Sequence, residues 1–455
     1  MFHTLTIQYQ LLPVACSCLL ASVNSDYFNR YPADSEEYKN FISTIIQFPF
    51  NNEGSRCLIS RRLLRLHHPG IESIVFVKAE DQFKQPVIYL RITINPAVLI
   101  TGTDTIDNLY YATSENNELL QDCYALHLYR IFPILHNYSP PFEELYQSAD
   151  DYLSALEAMG DCFQLGSIPY LALGTVKRID FSVNLRPEDP QLFLELAKKT
   201  YYDGRKQTTD FKNNNLWARN KSRKICLYDK AQKMNSNRYR GLPGIDTIRQ
   251  EATGIVRYEV SLTRFPSENI QKLCFITIQS CIPFKFGPFP YLNETVSENI
   301  LNAEYQHIGY QGWFNDHYFT KAIDNASLNP NMKRKLLLTA YLISQCRSIS
   351  TAYEKSEDYV LAKTGETIHI NKKRLNSYIT KLRNIGVQPL RIPDKRKVSS
   401  MSNPYPVKTE PRKYTPSPSN KVGISRELSI NYKFFKTKIS ELYKSLQPSN
   451  HAASA

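Results

Sequence analysis

No two cysteines in this chain stand at zinc-site spacing. The nine cysteines are scattered without a CxxC pair, and the nearest two, Cys16 and Cys18, have no second pair to match them. That pattern argues for reduced thiols rather than a disulfide scaffold. Apolar runs of membrane length are also missing. LLPVACSCLLASV (11–23) is short of the ~20 residues a spanning helix needs. No basic segment precedes it, so neither a signal peptide nor a membrane partner is expected. The run reads instead as a buried first strand. No repeat of solenoid length is visible.

What the chain does have is length, tyrosine and positive charge. Its 455 residues are 42% apolar, enough for two or three domains with real cores. The 30 tyrosines suit strands and nucleic-acid surfaces alike. A formal charge of +13 favours a polyanionic partner, because each neutralised phosphate releases condensed counterions.

Patterning predicts an α+β fold. SIVFVKAE (73–80) and QPVIYLRITINP (85–96) read as hairpin strands, and LQDCYALHLYRIFPIL (120–135) as an amphipathic helix. Residues 137–166 look like an acidic helical insertion. GTVKRIDFSVNL (174–185) is a strand, and DPQLFLELAKKTYYD (189–203) a helix with Asp189 as N-cap and Pro190 at its first position. ATGIVRYEVSL (252–262) is a further strand. Residues 331–349 and 371–386 read as helices, the second ending at Gly386. The boundaries expected are a core over 1–264, a mixed and then helical DNA-binding region over 265–392, and a disordered basic tail over 393–455 with a short terminal helix.

Three strands share a polar face. RIDFS (178–182) puts Arg178, Asp180 and Ser182 on one side, and RYEVS (257–261) does the same with Arg257, Glu259 and Ser261. KICLYDK (224–230) aligns Lys224, Cys226 and Tyr228, with Ile225 and Leu227 behind them. Such a front is equipped to cut a phosphodiester. Carboxylates such as Asp180 and Glu259 bind Mg²⁺ or Mn²⁺ through oxygen, and the metal stabilises charge at phosphorus. Tyrosine can attack once its phenol, with a pKa near ~10, is deprotonated, and arginine grips phosphate in a fork geometry. Taken singly, each strand is equally an ordinary Arg–carboxylate ladder on a solvated face. Tyr201 and Tyr202 are rival nucleophiles at a helix end.

These segments in this order resemble the gene II replication-initiator family of filamentous phages. The resemblance runs through VIYLRITINPAVLITGTD (87–104), KRIDFSVNLRPEDP (177–190), NLWARNKSRKICLYDKAQK (215–233), EATGIVRYEVSL (251–262) and, more weakly, NKKRLNSYITKLRNIGV (371–387). It implies an antiparallel-sheet nicking core and rolling-circle initiation. One strand of double-stranded phage or plasmid DNA is cut at the origin through a 5′-phosphotyrosine link, and the displaced single strand is later rejoined. By position it implies Tyr228 as nucleophile and Lys230 as a phosphate or leaving-group contact. It further implies host helicase and polymerase as partners, in the cytoplasm of a bacterial host. Two departures stand out. Gly102-Thr103-Asp104 replaces a Gly-His-Asn seen in the family, and none of the nine histidines forms the His-apolar-His pair of wider rolling-circle initiators; His67 and His68 are adjacent.

Origin binding would fall to cations. Arg178, Lys224 and Arg257 lie on the sheet front, Lys372, Arg374, Lys381 and Arg383 face outward from the helix at 371–386, and Arg223 and Lys373 are further DNA-binding candidates beside them. A non-catalytic origin-binding regulator needs the same basic surface without the carboxylates. A plasmid relaxase or a recombinase is a further alternative, and a recombinase would hold a 3′ rather than a 5′ phosphate.

Overall fold

A computed structural model describes residues 2–11, 13–23, 56–58, 61–80, 86–103, 114–137, 165–203, 215–236, 244–263, 288–292, 294–355, 359–360, 367–368, 370–407 and 413–430, with scattered positions to 437. The fold is α+β with antiparallel strand pairing. Two compact units emerge, one of Met1–Asp180, Thr263–Ser297 and Glu410–Ala455, the other of Phe181–Leu262 and Glu298–Thr409. A border between segments falls at Leu262/Thr263, beside the expected 264, but each unit gathers segments that are distant in sequence. Composition shifts along the chain do not reveal which distant segments share a core.

In the first unit β1 (Phe2–Leu11) is followed by α1 (Pro13–Ser22), β2 (Arg56–Leu58), α2 (Arg61–His67), β3 (Ile71–Glu80) and β4 (Pro86–Ile94). Then come α3 (Pro96–Thr101), α4 (Ser114–Ile131) and the start of β5 (Thr175–Leu185). β4 is flanked by β1 and β3, and β2 pairs with β3, all antiparallel. Leu5, Ile7, Tyr9 and Leu11 alternate into the core, the period-two pattern of a strand. The apolar run at 11–23 is a correction: Pro13 opens a helix rather than continuing a strand. Periodicity cannot separate a short buried helix from a buried strand, and proline is preset for a first helical turn.

The tail is a second correction. Residues expected to be disordered from 393 onward instead form a short strand at Ser400–Met401, paired with another at Trp313–Phe314, and a helix at Pro418–Arg426. Ser417 caps that helix, and the Asn420 amide donates to the carbonyls of Leu99 and Ile100 at 2.8 and 3.1 Å. Proline and serine there act as cap residues, so low hydrophobicity does not mean disorder. Most of the expected insertion (138–164) lies outside the described residues, as does the chain beyond 437.

The second unit takes the end of β5, then α5 (Pro190–Thr200), β6 (Leu216–Arg219), β7 (Arg223–Asp229), α6 (Lys230–Met234), α7 (Ile245–Glu251) and β8 (Val256–Leu262). Asp189 accepts from the amides of Gln191 and Leu192, and Pro190 sits at the first helical position, as the sequence predicts. The helices α8 (Glu294–Tyr305), α9 (Asp316–Asn325), α10 (Pro330–Cys346), α11 (Ile349–Lys355) and α12 (Lys372–Asn384) follow. Phe319, Ile323, Leu336, Ala340, Leu382 and Val387 form one buried cluster beneath α9, α10 and α12. Trp313 is fully buried, its indole N–H donating to Thr200 Oγ1 at 3.0 Å. Among the described residues no helix is long and apolar enough to cross a membrane.

Candidate functional site

β7 is the centre of the site, flanked by β6 and β8 in antiparallel register. Tyr228 lies opposite Arg257, Cys226 opposite Glu259 on one side and Trp217 on the other, and Lys224 opposite Ser261 and Arg219. Directly paired residues share a sheet face. The predicted front is therefore real for these strands, and it extends onto β6 as Trp217 and Arg219. Ile225, Leu227, Val260 and Leu262 occupy the opposite, buried side.

The front is not a solvated ladder. Arg257, Cys226 and Ser261 are at most 1% exposed, Tyr228 is 5% and Glu259 7%. The Tyr228 hydroxyl donates to Glu259 Oε2 at 3.2 Å, a diagonal contact across β7 and β8. Arg257 Nε donates to Asn184 Oδ1 on β5 at 2.9 Å. The Ser261 hydroxyl makes no hydrogen bond among the described residues. Removing such a hydroxyl removes no bond. Ser261→Ala is expected to leave unfolding free energy within about 0.5 kcal/mol of wild type in a urea titration.

Four of the predicted DNA-contact arginines have internal partners. Arg178 holds both oxygens of the buried Asp180 on β5, at 2.7 and 2.6 Å. Arg223 pairs with the buried Glu304 of α8. Arg257 is bound to Asn184, as above. Arg383 donates to the carbonyls of Gln306 and Ile308 at 3.2 and 3.0 Å, and burial lowers its pKa. These arginines build the fold, and Arg178 spends its fork geometry on the two oxygens of Asp180. Lys230 is 2% exposed, at the start of α6, with its backbone N–H on the Ile255 carbonyl. Lys372, Lys373 and Arg374 do face solvent, as predicted, over the buried Leu375, Ile379 and Leu382. Lys381 is half-buried.

Tyr201 and Tyr202 are placed differently from Tyr228. The Tyr201 hydroxyl donates to Asp203 at 3.1 Å. Tyr202 stacks on Tyr353 with ring centroids 4.0 Å apart, and burial, Asp203 and Glu354 all push its pKa up.

Sequence reasoning found Lys224 on the Tyr228 face but missed Trp217, Arg219 and Lys233. The Trp217 ring lies nearly parallel to that of Tyr228, with an interplanar angle of 14° and centroids 6.4 Å apart. Lys224 Nζ lies 4.2 Å from the Trp217 centroid. Lys233 Nζ, from α6, lies 5.5 Å from Trp217 and 6.0 Å from Tyr228. Arg219 extends the same face at its exposed edge. The signal is present in LWAR, whose alternation buries Leu216 and Ala218 and turns Trp217 and Arg219 forward.

The carboxylates fit a divalent cation poorly. Both Asp180 oxygens are on Arg178, Glu259 accepts from Tyr228, and no three His, Cys, Asp or Glu side chains cluster as ligands among the described residues. No protein family, curated protein or solved structure matches the chain.

Proposed function

We propose that this protein nicks and rejoins one DNA strand at a replication origin, with Tyr228 as nucleophile. The observation that carries the reading is the hydrogen bond from the Tyr228 hydroxyl to Glu259 Oε2 at 3.2 Å, within a face that holds arginine and lysine. Glu259 then has a sharper role than metal ligand: it accepts the phenolic proton as the tyrosine oxygen attacks phosphorus. The P–O3′ bond breaks, the 3′ oxygen leaves with a proton from solvent, and the 5′ phosphate stays on tyrosine. Rejoining reverses the step with a 3′ hydroxyl as the attacking group. The resemblance to the gene II initiators supports an antiparallel nicking core, an origin in double-stranded phage or plasmid DNA, host helicase and polymerase as partners, and a bacterial cytoplasm as the setting.

The test is incubation with supercoiled origin DNA, with and without chelator, followed by peptide mapping of any covalent adduct. A 5′ phosphate on Tyr228 supports the proposal; a 3′ adduct indicates a recombinase, and the absence of any adduct sinks it. Glu259→Gln keeps a hydrogen-bond acceptor for the phenol but no longer takes its proton. It should slow adduct formation by roughly 10²–10⁴-fold with DNA binding unchanged.

One observation favours a second reading, a non-catalytic origin-binding regulator. Lys372, Lys373 and Arg374 are exposed in the first turn of α12, where the helix dipole disfavours cations. An external polyanion would relieve that cost. On this reading Glu259→Gln has no effect on activity in the cell.

A further inference from the structure

The cations around Tyr228 fall into two groups. Arg223 and Arg257 are bound to Glu304 and Asn184. Arg219, Lys224 and Lys233 make no salt bridge among the described residues. Arg219 and Lys233 are exposed, while Lys224 is half-buried beside Trp217. Lys224 of β7 and Lys233 of α6 lie over one half-buried indole, and Arg219 of β6 continues its face, paired across the strands with Lys224. Among the described residues β6 pairs with β7 alone, so Trp217 stands on an edge strand. A lone lysine pair on a surface would mean little. Two such cations over a tryptophan that runs parallel to the candidate nucleophile, with a third next along the same face, is a more specific arrangement.

We propose that Trp217, Arg219, Lys224 and Lys233 form a binding site for single-stranded DNA beside Tyr228. Trp217 stacks on an unpaired base, which any base can satisfy because each has a π face. The ammonium and guanidinium groups take the phosphates on either side of that base, which neutralises them at the point where the strand reaches Tyr228. Lys233, exposed and next to the Tyr228 ring, takes the phosphate contact that the resemblance implied for the buried Lys230. The site rests on the reading of Tyr228 as nucleophile for its purpose, though its binding can be measured apart from any chemistry.

The chain has two tryptophans, and Trp313 is fully buried, so a fluorescence change on DNA binding reports Trp217. Full-length Tyr228→Phe protein, titrated with a short oligothymidylate, should show saturable quenching. Arg219→Gln with Lys233→Gln, both at exposed positions, should reduce the slope of log affinity against log salt by about 1.4, at ~0.7 for each single-strand phosphate no longer neutralised. Trp217→Leu, followed with a dye-labelled oligonucleotide, should bind roughly 10- to 100-fold more weakly. No quenching, or an unchanged salt slope in the double variant, overturns the site. Adduct formation by wild type without Trp217 quenching would discard the site and leave the nicking reading standing. Quenching without any adduct supports the site and discards the nicking reading.

Discussion

Tyr228→Phe should abolish covalent attachment to origin DNA while leaving the protein folded and able to bind. The substitution removes one oxygen. The ring stays stacked beside Trp217, and Arg257 keeps its bond to Asn184. The structural loss includes the hydrogen bond to Glu259, at a cost of about 1 kcal/mol. The chemical loss is the nucleophile itself, and removing a nucleophile costs about 10⁴-fold or more. Denaturing gels of origin incubations measure it directly. Tyr202→Phe is the paired control. Its phenol is flanked by Asp203 and Glu354, whose negative charge opposes the phenolate an attack requires. That variant should form adduct at the wild-type rate. An adduct that survives Tyr228→Phe and disappears with Tyr202→Phe would move the nucleophile to the end of α5 and sink the assignment of Tyr228.

The part of this site that can be read in the sequence is the part that depends on strand geometry alone. Alternation in KICLYDK and RYEVS fixes which side chains share a face, and the register confirms that Tyr228 and Arg257 meet across it. Alternation says nothing about whether that face is wet. Arg257 and Glu259 look like solvated ladder residues until Asn184 and Tyr228 are seen to hold them in a buried layer. The partners of Arg223 and Arg383 come from Glu304 and from the carbonyls of Gln306 and Ile308, about 80 positions away in each case. No local pattern encodes a pairing of that span. Helix caps are more legible: Asp189 and Asn371 each accept from amides two or three residues on, a purely local interaction. Ser417 uses the same device, but the surrounding Pro-Ser-Lys composition masks it by arguing for disorder.

The first unit should lose stability steeply in mild acid. His68 and His127 are buried together, with Nδ1 atoms 3.2 Å apart and rings edge-on. One Nδ1 must donate and the other accept, so the pair cannot keep this bond with both rings protonated. Burial is the main cause that lowers His68 from its ordinary 6.5 to about 3, helped by His127, Arg130 and His67. Burial and then Arg130 lower His127 to about 4, against Asn420 and Glu427, which favour the charged form. A base whose folded pKa is depressed binds more protons when unfolded. Stability is therefore full above the unfolded value near 6.5 and is lost as pH falls toward the folded values. Each histidine contributes about 1.4 kcal/mol per pH unit in that window, so the pair can cost up to about 4 kcal/mol between pH 6.5 and pH 5. Glu427 acts in the same direction at lower pH, because Arg130 holds its carboxyl below the usual range. Both tryptophans lie in the second unit, so their fluorescence is the wrong probe. Hydrogen exchange of the α4 amides, which flank His127, reads the first unit directly. Their protection free energy should fall across this range in wild type and stay flat in the His68→Leu, His127→Leu double variant. Equal protection at pH 7 and pH 5 in wild type would mean that the two imidazoles accept protons in the folded state, and the buried neutral pair would be wrong.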